Sequence, residues 1–103
     1  MQASLVTDNP QDEAILAHAL RLAGVSVATA RELPSALAEW ERKPNDLLVV
    51  ALRTPHPLRM VKDVRHVVGA PLIVVTEGCS EDAHLELLDA GADWVIERPY
   101  SVR

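Results

Sequence analysis

The residue types able to do chemistry in this 103-residue chain are thinly spread. His18, His56, His66 and His84 share no i, i+4 or Cys-x-x-Cys spacing of the kind that gathers metal ligands, so no metal site is expected. Cys79 is the single cysteine. It precedes an amphipathic stretch whose helix N-terminus would favour a reactive thiolate, but Glu77, Glu81 and Asp82 crowd it with negative charge that opposes this. Cys79 therefore reads as an inert small residue. The four glycines form no Gly-x-Gly-x-x-Gly cradle, and no nucleotide or other cofactor is expected. What remains in the pattern is a series of short apolar runs.

Those runs alternate with amphipathic stretches of about ten to thirteen residues, the pattern of β-α-β units and a parallel sheet. The first run, Ala3 to Thr7, ends at Asp8-Asn9-Pro10. There Asn9 can cap a helix, Pro10 can take its first position, and Asp12 and Glu13 suit the positive end of its dipole. This first helix is predicted to reach about Ala23, with Ile15, Leu16, Ala19, Leu22 and Ala23 as its buried face and Gly24 as its left-handed terminator. Val25 to Ala28 is a second strand. Leu33, Ala36, Leu37 and Trp40 mark a second helix that Pro44 and Asn45 close.

Leu47 to Leu52 has no polar alternation, so both its faces should be covered, as in a central parallel strand. After the break at Pro55 and Pro57, a third helix over about Leu58 to Val68 aligns Val61, Val64 and Val68, and a fourth strand, Leu72 to Val75, ends at Thr76. Ser80 caps a fourth helix reaching about Ala90, with Leu85 and Leu88 facing inward and Gly91 ending it. Trp94 to Ile96 is the last strand. The expected fold is one doubly wound α/β domain over residues 1–103, a three-layer sandwich around a five-stranded parallel sheet of order 2-1-3-4-5.

Composition narrows the function classes. Lys+Arg 10 against Asp+Glu 15 leaves a net charge of −5, which gives no broad attraction to phosphate backbones or acidic lipid. No nucleic acid is expected to bind this domain alone, and no apolar run is long enough to span a membrane. Aromatic residues are only 3% of a chain that is 49% hydrophobic, so the core must be built from Ala, Leu and Val. The lone cysteine and the lack of a secretory leader pattern point to the cytoplasm.

Four segments together resemble the receiver domain of bacterial two-component response regulators (CheY-like), over nearly the whole chain. Ser4-Leu-Val-Thr-Asp8-Asn9 is similar to the family's first strand ending in paired acids. Asn45-Asp46-Leu-Leu-Val-Val-Ala51 is similar to the third strand, which in the family ends in the phosphorylated aspartate. Pro71-Leu-Ile-Val-Val-Thr76 resembles the fourth strand with its switch hydroxyl. Ala90-Gly91-Ala92-Asp93 with Arg98-Pro99-Tyr100 resembles the Gly-Ala-Asp and Lys-Pro-Phe motifs. The resemblance implies that Asp8, Asn9, Ala51, Thr76 and Arg98 converge at the carboxyl ends of strands one, three, four and five.

The departures bear on the chemistry. Alanine stands at 51, and a methyl group cannot accept a phosphoryl group. One carboxylate, Asp8, is left where the family supplies three, too little charge for Mg²⁺, which gives up its water reluctantly. Arg98 replaces a lysine with a permanently charged planar fork, and an internal pair with Asp8 is expected. Val95 falls at the aromatic switch position, with Trp94 beside it. Pro55-His56-Pro57 lies in a shortened loop expected at one rim of the old active site. The sequence ends at Arg103, where the family begins its fifth helix, so that helix is expected to be absent and one sheet face to lack its cover.

The resemblance thus implies an atypical, phosphorylation-independent receiver, not an enzyme, and the N-terminal part of a longer regulator that controls transcription. Its partner would be another protein or a second copy in a homodimer, with Trp94, Val95 and Tyr100 at the interface. A sensor that binds a small anionic ligand in the vacated phosphorylation pocket is the alternative. A phosphoacceptor at Asp8 or Asp46 ranks last, because Asp46 begins its strand at the opposite end of the sheet.

Overall fold

The computed structural model describes residues 1–98. Its elements follow the expected alternation: β1 (Gln2–Val6), α1 (Pro10–Leu22), β2 (Ser26–Ala30), α2 (Leu33–Arg42), β3 (Leu47–Val50), α3 (Pro57–Val67), β4 (Leu72–Glu77), α4 (Glu81–Ala90) and β5 (Trp94–Arg98). All strand pairs are parallel and the order is β2-β1-β3-β4-β5. This is the doubly wound sheet, with four helices among the described residues.

Side chains alternate across each strand, so the central strands feed two separate cores. On one side Val6, Leu48, Val50, Leu72 and Val74 pack beneath α2, α3 and α4 through Trp40, Val61, Val64 and Leu87. On the other, Leu5, Val49, Ala51 and Val75 meet Ala17 of α1. Leu48, Val49 and Val50 are all buried, which is why β3 carries no polar residue at these positions. Among the described residues α1 alone covers the second face.

Two helices present different faces from those expected. In α1 the buried or half-buried residues are Asp12, Glu13, Leu16, Ala17 and Leu20, while Ile15 and Leu22 are 46% and 75% exposed. Apolar residues surround this helix, so spacing alone does not select a face; the stripe i, i+4, i+5, i+8 runs through an acid. In α4 the buried residue is Leu87, whereas Leu85 and Leu88 are exposed. Leu87 lies on the stripe of Ala83 and Ala90 at i−4 and i+3, and that stripe faces α3 and the sheet.

The termini behave as their residues dictate. Asn9 Oδ1 accepts from the backbone N–H groups of Gln11 (2.8 Å) and Asp12 (3.2 Å), and Ser80 Oγ accepts from that of Ala83 (3.1 Å). Gly91 ends α4 at φ +127°. Strand ends move by one or two residues from expectation, and one such shift matters for the site. β5 continues to Arg98 because Glu97 and Arg98 pair with Thr76 and Glu77.

Candidate functional site at the carboxyl ends of the strands

Ala51 follows β3 and remains in the sheet, its N–H donating to the Val6 carbonyl at 2.8 Å. It is fully buried, with its methyl on the α1 side. Strand alternation sends Ile96 and Arg98 to that same side, and Arg98 reaches across it. Its Nε and Nη2 both donate to one oxygen of Asp12, at 3.0 and 2.7 Å, and Nη2 also donates to the Ala51 carbonyl at 3.0 Å. The side chains of Arg98 and Asp12 are only 5% and 7% exposed, so the charges neutralise each other out of contact with water.

This corrects the expected pairing of Arg98 with Asp8. Asp8 is exposed at the end of β1, whereas Asp12 sits one helical turn further on, on the buried stripe of α1. The sequence signal for Asp12 was that stripe: Asp12 is in register with Leu16, Ala17 and Leu20, and its place in the first turn suits the helix dipole as well.

Of the other expected residues, Asn9 spends its side-chain oxygen on the α1 cap. Thr76 is 6% exposed, and its hydroxyl has no hydrogen-bond partner among the described residues. Thr76 and Arg98 both line a cavity of about 470 Å³ bounded by the loop after β3, the start of α3 and the ends of β4 and β5. Pro55 and Pro57 form part of its rim, as expected for the shortened loop. Asp8 and Asn9 are not among its lining residues. Asp46 lies at the opposite end of the sheet, accepting from the Gln2 N–H at 2.8 Å.

At the proposed interface Trp94 is 67% exposed, while Val95 is half-buried against the first core. Tyr100 lies outside the described residues. No group of three or more His, Cys, Asp or Glu among the described residues is placed to hold a metal ion. No helix among them is long and apolar enough to cross a membrane.

Comparison with solved structures matches this architecture closely. The beryllofluoride-activated NtrC4 receiver domain, solved as a dimer, superimposes with a TM-score of 0.83 over 98% of this chain and 86% of its own, at 21% identity. The chain has the CheY-like receiver fold. Among curated proteins, the sensory transduction protein RegX3 of Mycolicibacterium smegmatis is 36% identical over 90 residues, 85% of this chain and 40% of the relative. The KDP operon transcriptional regulatory protein KdpE of Escherichia coli is 28% identical over 100 residues, 95% of this chain and 44% of the relative. The chain therefore spans less than half the length of these regulators. No family model matches it. Within the receiver fold the carboxyl strand ends carry an ion pair, a buried methyl and a hydroxyl that has no partner among the described residues.

Proposed function

We propose that this chain is the receiver domain of a bacterial transcriptional response regulator that signals without aspartyl phosphorylation, through contact with a protein partner or a second copy of itself. The observation that carries the reading is the contact of Arg98 with the Ala51 carbonyl and Asp12. The guanidinium bridges the end of β3, where the resemblance would place a phosphoaspartate, and its charge is already balanced. Ala51 offers no nucleophile, and Asp12, committed to Arg98, is a poor ligand for Mg²⁺. Likeness to RegX3 and KdpE supports the regulatory setting, a cytoplasmic location and a place within a longer protein. The exposed Trp94 on edge strand β5 supports an interface there.

Light scattering of the chain across a concentration series, with and without Mg²⁺ and beryllium fluoride, tests this. The expected result is a self-association constant that changes less than twofold with the additives, and no mass gain after acetyl phosphate with Mg²⁺. A phosphorylated adduct, or association that requires the additives, overturns the reading.

A further inference from the structure

α3 and α4 lie side by side over the first core and carry opposite charge. α4 holds Glu81, Asp82, Glu86 and Asp89 and no lysine or arginine, and Asp82, Glu86 and Asp89 share an exposed face at i, i+4 and i+7. On α3, Arg59 and Lys62 are exposed one turn apart. Asp63, the one acid of α3, lies on the flank toward α2, where it lines a different cavity with Leu33. Arg65 is turned to the amino end of the sheet, onto Gly91 and Asp93.

Arg59, Lys62 and Glu86 line a groove of about 520 Å³ between the two helices, and Pro55, His56, Pro57, Leu58, Ala83 and Leu87 complete it. No ion pair holds any of the three charged residues among the described residues. A face that is positive on one side of a groove and negative on the other is complementary to itself. Turning a second copy by half a revolution about an axis along the groove lays its α3 over α4 and its α4 over α3. An axis across the groove would instead set like charges together. The heights match as well. Both helices run back from the carboxyl toward the amino strand ends, and Lys62 and Glu86 are each the sixth residue of their helix. Leu85, 54% exposed beside Asp82 and Asp89, adds apolar area to this face.

We infer that α3 and α4 form a homodimer surface, its partner a second copy of this chain turned about an axis along the groove, with Lys62 of each copy set against Glu86 of the other. The inference rests on the reading that the domain signals through association, and it names the second copy and a surface apart from Trp94. Its failure leaves contact with another protein in place. The proposed function fails on a separate observation, a phosphorylated adduct, which the measurements below do not involve.

Sedimentation equilibrium of the chain and its variants, without Mg²⁺ or a phosphoryl donor, tests the surface. Lys62→Glu and Glu86→Lys should each raise the dimer Kd about tenfold or more, since each creates two like-charge contacts across the two-fold axis. Mixed in equal amounts, the two variants should associate to within about threefold of the unaltered chain, because each mixed pair regains both opposite-charge contacts. Both positions are exposed, so thermal unfolding of each variant should stay close to that of the unaltered chain. Trp94→Ala should change the Kd by less than about threefold, as expected of a residue outside the surface. A chain that stays monomeric overturns the inference. So does a mixture of the two charge variants that fails to associate, or a dimer that Trp94→Ala dissociates while the charge variants do not.

Discussion

Arg65 and Arg98 stand at opposite ends of the sheet and use the same side chain in different ways. Arg65, on α3, gathers backbone oxygen at the amino ends of β4 and β5. Its Nε donates to the Gly91 carbonyl at 2.7 Å, and its Nη1 to those of Val68 (2.9 Å) and Ala70 (2.7 Å). Its Nη2 pairs with Asp93, whose Oδ2 also accepts from the Leu72 N–H at 2.8 Å. Arg98 instead meets a carboxylate 86 positions away in sequence and the Ala51 carbonyl.

Arg65 thus ties the loops before β4 and β5 through carbonyls that water could also reach, its side chain being 23% exposed. Arg98 is far more deeply buried, its side chain 5% exposed. Its buried position makes the pair with Asp12 necessary, because an isolated charge there would be far costlier than either neutral alternative. The amino end of the sheet is a scaffold tolerant of partial loss, and the carboxyl end holds a buried ion pair.

The contrast is broken most forcefully at the carboxyl end. Asp12→Ala should cost about 3–5 kcal/mol in urea denaturation, because it leaves a buried guanidinium without its counter-charge. The double change Asp12→Leu with Arg98→Met should recover most of that loss, as replaced buried ion pairs commonly do. A loss below about 1 kcal/mol for Asp12→Ala would mean that water reaches the pair.

At the other end, Arg65→Ala should cost about 2 kcal/mol, since each carbonyl loses a charge-assisted donor but can turn to solvent. Gly91→Ala probes the same contact from the opposite side. A Cβ there would run into the aliphatic stem of Arg65, and φ +127° is itself unfavourable for a side chain, so about 1–3 kcal/mol is expected. If Gly91→Ala costs no less in an Arg65→Ala background, backbone strain alone accounts for it.

The smallest effect sharpens the comparison by separating helix formation from the ion pair. Asn9→Ala removes an acceptor for the N–H groups of Gln11 and Asp12 and should cost about 1 kcal/mol in thermal unfolding. A cost equal to that of Asp12→Ala would show that the cap's main task is to aim Asp12 at Arg98.

Much of the fold was legible because it rests on local periodicity. The continuous apolar run at Leu48, Val49 and Val50 requires cover on both faces, and Asn9-Pro10 and Ser80 mark helix starts through side-chain acceptors close by in sequence. The site was less legible. Arg98 reaches the Ala51 carbonyl, but its carboxylate partner was misassigned because Asp8 lies ahead of α1 and is exposed whereas Asp12 falls on the buried stripe of that helix. Leu85 and Leu88 were misread for a related reason: neighbouring apolar stripes on one helix compete, and packing against α3 and β5 chooses between them.

The Arg65 clamp carried no pattern at all, since three of its acceptors are main-chain carbonyls, which every residue possesses. By itself, then, the sequence determined the order of strands and helices, the central place of β3 and the absence of a carboxylate at position 51, all properties of residue type and short spacing. Only the tertiary structure decided that Arg98 meets Asp12 rather than Asp8, that Arg65 closes the far end of the sheet, and that Thr76 Oγ1 is buried without a partner among the described residues. Those outcomes depend on which groups are brought together from distant parts of the chain and shielded from water, and burial is what turns a nearby charge or hydroxyl into a constraint.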